Sequence, residues 1–178
     1  MVGIFKLQYL LPFSMLINGA HSSVAPEGTL NVSIISDRWA GDSGSRAAGV
    51  FCLPNGRYDK SDFSQLIPLV EDKLQQVPLD IKRSLRLKGA TSVDFVILKV
   101  NFKLCAKKYG VWGAGRPNAM TGSVSFETLA QTRNVDGGLV EEMQCDFHFD
   151  TYKKKAASDS QIFIEGLNAA FVECLENM

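Results

Sequence analysis

The 178-residue chain reads as an α+β domain, an antiparallel or mixed sheet of about four to five strands with two helices packed on one face. Three observations predict this. Segments near 92–104, 121–130 and 139–149 alternate apolar and polar side chains, the period of a strand with one buried and one wet face. Segments 59–77 and 158–176 place apolar residues three and four apart, the period of a one-faced helix. Apolar residues make up 46% of the chain and aromatics 10%, enough for a core and too many for global disorder. Nineteen basic and nineteen acidic side chains cancel, which argues against a nucleic-acid partner, since phosphate binding needs a concentrated excess of Lys and Arg.

The elements follow in chain order. Lys6 is the only charged side chain before Glu27; an apolar run from Leu7 to Ile17 follows it, then small residues up to Ala25. That order describes a secretory signal peptide over 1–22, too short to span a bilayer, with a single domain over 26–178. Thr29–Ser36 is rich in β-branched residues and reads as a strand. Residues 37–47 carry Gly, Ser and charges and read as a loop; Gly49–Leu53 reads as a short apolar strand and Pro54-Asn55-Gly56 as a turn. Phe63, Leu66, Ile67, Val70, Leu74 and Val77 predict a helix over 59–77, with Ser61 as its N-cap and Pro68 as a kink or restart. Residues 79–90 fit a short helix or an extended lead-in.

In Ser92–Leu104, Val96, Leu98, Val100, Phe102 and Leu104 fall on one face and Lys99, Asn101 and Lys103 on the other. A long connection over 105–119 holds Tyr109 and Trp112. Thr121–Ala130 is a second strand with Val124 and Phe126 inward. Asn134–Gly138 is a hairpin turn, and Leu139–Phe149 a third strand. Ser158 and Gln161 fit a capping box before a last helix whose stripe is Phe163, Leu167, Ala170, Phe171 and Cys174.

Four widely spaced cysteines in an exported chain predict disulfides and argue against a C-x-x-C metal or redox motif. Cys145 faces the buried side of its strand and Cys174 lies on the apolar stripe of the last helix. If that helix covers the sheet these two meet, leaving Cys52 for Cys105, each bridge worth roughly 2–4 kcal/mol.

The layout resembles exported bacterial envelope domains, namely the amino-terminal domain of the Tol–Pal protein TolB and periplasmic auxiliary components of lipid-trafficking ABC transporters. Asp94–Leu98, Val124–Val135 with Asp136-Gly137-Gly138, and Gly166–Phe171 carry the resemblance. It departs in lacking a lipobox Cys and in having four cysteines. The resemblance implies envelope assembly or cargo binding rather than catalysis, and fold analogy alone does not assign function.

Asp42, Ser43 and His148 could form a hydrolase site only if the fold joins them. Asp146, His148 and Asp150 share one strand face, where carboxylates and imidazole could hold a divalent metal; a polar outer face explains them more simply, and no metal or cofactor is expected. Lys103, Lys107, Lys108 and Lys153–Lys155 could form a basic patch for anionic lipid or an acidic partner. Tyr109, Trp112 and Arg116, flanked by Lys107 and Lys108, are the candidate partner-binding residues, since exposed aromatics and Arg favour interfaces. The expectation is a non-enzymatic periplasmic or secreted protein that binds a protein partner in envelope assembly or transport. The alternative is an exported immunity or inhibitor module against a toxin.

Overall fold

The computed structural model describes residues 30–39, 41–49, 51–108, 117–151 and 158–178. The segment read as a signal peptide, together with Tyr109, Trp112, Arg116 and Lys153–Lys155, lies outside these residues. The elements are β1 (Asn31–Ile35), β2 (Asp42–Ala48), β3 (Leu53–Asp59), α1 (Ile67–Leu74), α2 (Leu79–Leu87), β4 (Ser92–Lys108), β5 (Pro117–Arg133), β6 (Leu139–Asp150) and α3 (Asp159–Glu176). The α+β class holds, with six strands in one mixed sheet among the described residues rather than four or five.

The sheet runs β3-β2-β4-β5-β6, with β1 also beside β4. Both β1 and β2 run parallel to β4 on the edge opposite β5; β1 pairs with 92–96 and β2 with 102–106. They are one broken strand. Between them the chain leaves the ladder and puts Trp39 into the core, 3% exposed and stacked on Phe163 at 5.9 Å. Gly44 lets β2 rejoin: its φ is +104°, and a Cβ there would meet the Phe102 carbonyl oxygen at 2.3 Å.

Opposite this break, β4 carries its own irregularity. The pairing to β5 steps from Ile97↔Thr128 to Lys99↔Glu127, so Leu98 is an extra residue in a bulge. The bulge reverses the phase. Val93, Phe95 and Ile97 face the core before it; Val100, Phe102 and Leu104 do so after it. The expected single face through Val96 and Leu98 is therefore corrected: Val96 lies on the opposite side and Leu98 is half-buried. The run Phe95-Val96-Ile97-Leu98 is apolar at both parities, so alternation could not fix the phase.

The segment before β4 also differs from one long helix. It starts as two 3-10 turns, and the Asp62 carboxylate accepts the Asp59 N–H at 2.8 Å in place of a Ser61 cap. Pro68 stands in the first turn of α1, where its missing N–H costs nothing, and so marks a restart. Pro78 is the N-cap residue of α2. Ser158 accepts the Gln161 N–H at 3.1 Å to start α3.

Helices α1 and α3 pack together on one face, and Ile81 and Leu85 of α2 join the same core. An aromatic chain runs through it: Phe63 stacks on Phe102 at 4.4 Å and on Phe163 at 5.0 Å, and Tyr58 meets Phe102 at 5.0 Å. Such contacts add about 0.5–1.5 kcal/mol each beyond area burial. Gly166 brings α3 against β5, since a Cβ would sit 2.8 Å from Phe126 Cε2.

Candidate functional site

The bridges pair as the strand and helix phases predict. Cys145 of β6 joins Cys174 of α3 with Cα atoms 5.7 Å apart, and Cys52 joins Cys105 at 5.4 Å. The first pins α3 to the last strand. The second pins the tip of the β2–β3 hairpin to β4.

The helix-free face is polar and laterally bonded. Arg133 donates through Nε to Asp94 at 2.7 Å and through Nη2 to Gln131 at 3.3 Å; Gln131 donates in turn to Glu142. Lys99 donates to Glu127 at 2.7 Å, and this bond raises the lysine pKa. Asp146 and His148 stand exposed on the same face, over a shallow cleft of about 300 Å³ shared with Ser125, Glu127 and Gln144. Among the described residues no three His, Cys, Asp or Glu side chains come close enough to hold a metal ion.

The structure separates the residues of the hydrolase reading. Ser43 is fully buried and its hydroxyl donates to the Gly41 carbonyl at 3.4 Å. Asp42 pairs with Arg57 at 3.3 Å. His148 lies on β6, three strands across from β2, or roughly 14 Å at about 4.8 Å per strand. The imidazole does not reach this hydroxyl.

Of the expected partner-binding residues, Lys107 and Lys108 end β4, and Ala106 beside them pairs with Ala48 of β2. Tyr109, Trp112 and Arg116 are in the stretch joining β4 to β5, outside the described residues. The hairpin of β2 and β3, which pairs with the end of β4, was not expected from the sequence. Gly49, Phe51 and Cys52 lie in the turn of the β2–β3 hairpin rather than in a strand, and Leu53 is the first residue of β3; Phe51 is 84% and Leu53 65% exposed. Residues 42–48 form a strand where a loop was expected, and Pro54-Asn55-Gly56 continue β3 where a turn was expected. Polar composition hid both strands.

The sheet's edges differ in how open they are. Gln75 closes β1: its side chain accepts the Val32 N–H at 3.3 Å and donates to the Val32 carbonyl at 2.8 Å, as a paired strand would. β3 is short, contains Pro54 and pairs through register shifts, all features that discourage strand addition. Among the described residues Met143–Phe147 of β6 have neither guard. Its pairing with β5 is regular from Glu141 to Asp150, and among the described residues it pairs with no other strand. Its inward row of Met143, Cys145 and Phe147 is half-buried, and its outward row of Glu142, Gln144, Asp146 and His148 is exposed. A cleft of about 190 Å³ runs between this edge and α3, lined by Met143, Phe147, Ala170, Glu173 and Asn177 beside the Cys145–Cys174 bridge.

No protein-family model, curated protein or solved structure matches the chain. Among the described residues no helix is long and apolar enough to cross a membrane.

Proposed function

We propose that this is an exported, non-enzymatic protein that captures a protein partner of the cell envelope by strand addition at β6. The observation that carries the reading is the regular edge of β6, which among the described residues pairs with no strand but β5. A strand added there gains main-chain hydrogen bonds, and its alternate side chains meet two different surfaces. Inward residues extend the row of Met143, Cys145 and Phe147 and reach the cleft beside α3; outward residues face Glu142 and Asp146. The partner is therefore an extended segment alternating apolar and basic residues. The two disulfides and the signal-like amino terminus support export, and the resemblance to envelope domains supports the setting.

The test is capture from the native envelope fraction, followed by hydrogen exchange on the complex. Amides of Met143–Phe147 gain protection in the complex. Glu142→Lys with Asp146→Lys, both at exposed positions, weakens capture about tenfold or more with an unchanged melting temperature. Protection confined to another strand, or undiminished capture by the double variant, overturns the reading.

A further inference from the structure

A second surface lies at the other corner of the sheet, with different chemistry. The β2–β3 turn is held rigidly: the Gly49 N–H donates to the Ala106 carbonyl at 3.0 Å, and Cys52 is bridged to Cys105. Cys52 has a φ of +50°, and on either side of it Phe51 and Leu53 project into solvent, 84% and 65% exposed. The two apolar side chains, one residue apart on a braced turn, thus offer solvent a small apolar tip.

The two chain segments nearest to them carry charge of one sign. From Ser43 to Tyr58 the sequence has Arg46 and Arg57 and no Asp or Glu. From Phe102 to Lys108, along the paired strand, it has Lys103, Lys107 and Lys108 and again no acid. Residues 117–126 of β5 carry no charge at all. The acids that border the corner are Asp42, paired with Arg57, and Asp59 opposite it in the hairpin; Asp62 and Asp159, close enough to Tyr58 to raise its pKa; and Asp150, which lies opposite Ser123, itself opposite Lys103. Other sheet carboxylates stand further along, with Asp94, Glu141 and Glu142 at the far end. A chain of zero net charge is thus polarised along its sheet.

From this juxtaposition we infer that the Phe51–Leu53 tip docks on anionic phospholipid, its two apolar side chains entering the headgroup boundary while the basic ends of β2 and β4 beside it lie at the level of the phosphates. Neither half suffices alone. Cations near a membrane surface each strengthen binding about fivefold, and salt screens them. Two buried apolar side chains add affinity that salt does not remove. The site is separate from the β6 edge, so each can fail without the other.

The test is flotation of the disulfide-bonded chain with phosphatidylcholine vesicles, with and without phosphatidylglycerol. Binding is expected to be about tenfold or more tighter on the anionic vesicles, and to fall about tenfold or more in Phe51→Ser with Leu53→Ser. Both positions are exposed, so the variant keeps its melting temperature. Glu142→Lys with Asp146→Lys leaves the tip's contribution intact, seen as the same loss when the two tip substitutions are added. Equal binding to both vesicle types overturns the inference. So does a tip variant that binds anionic vesicles as tightly as the parent chain while polyglutamate competes it off, because the corner would then recognise acidic chains rather than a bilayer.

Discussion

At the scale of single residues, Tyr58 shows how the core treats a polar group. It is 3% exposed, packed on Phe63 and Phe102 with Arg46 5.9 Å over its ring, and its hydroxyl has no hydrogen-bond partner of normal geometry. Burial, and after it the nearby Asp159 carboxylate at the start of α3, pushes its pKa from 10.0 up to about 12. The folded state therefore holds the phenol proton more tightly than the unfolded chain does. This contribution is present below about pH 10 and is lost as the pH rises to about 12. Tyr58→Phe keeps the ring packing and removes the titration. The expected outcome is a shallower loss of stability over that interval, measured by denaturant midpoints across the alkaline range. An unchanged slope would assign the alkaline transition to another group.

Among the elements, the Cys145–Cys174 bridge fixes the geometry on which the β6 edge depends. It joins residues 29 apart, for which loop closure gives about 3–4 kcal/mol. It also ties an edge strand, bonded on one side among the described residues, to the helix that covers its inner row. Cys174→Ser is expected to lower stability by about that amount and to expose Cys145, and neither Cys52 nor Cys105, to a thiol reagent. Thiol counting with peptide mapping checks this; labelling at Cys52 or Cys105 contradicts the pairing. The pairing was legible because strand phase and helix phase each place one sulfur on the buried side. The β2–β3 hairpin was not legible, because its residues are mostly polar and only backbone pairing, of β3 to β2 and of β2 to β4, makes them strands.

For the molecule as a whole, export is the condition under which both bridges form without a reducing pool to reopen them. If residues 1–22 are the address, the exported protein begins near His21 or Ser23 and contains no free thiol. Intact mass spectrometry of material from the native envelope or medium checks both. A full-length, fully reduced product from the cytosol would remove the basis for envelope partners and lipid alike.

The sequence by itself determined the class of fold, the three long elements β4, β5 and β6 and the closing helix α3. These rest on local periodicity, which each segment carries within itself. It also named Lys107 and Lys108, but not what surrounds them. Only the tertiary structure decided where β4 changes face, because the bulge at Leu98 is set by pairing against β5 and not by apolar content. It decided too that Gln75 seals β1 while β6, among the described residues, pairs only with β5, and that Phe51 stands beside the basic end of β4. Edges and corners arise from residues far apart in the chain, and no local pattern encodes which of them meet.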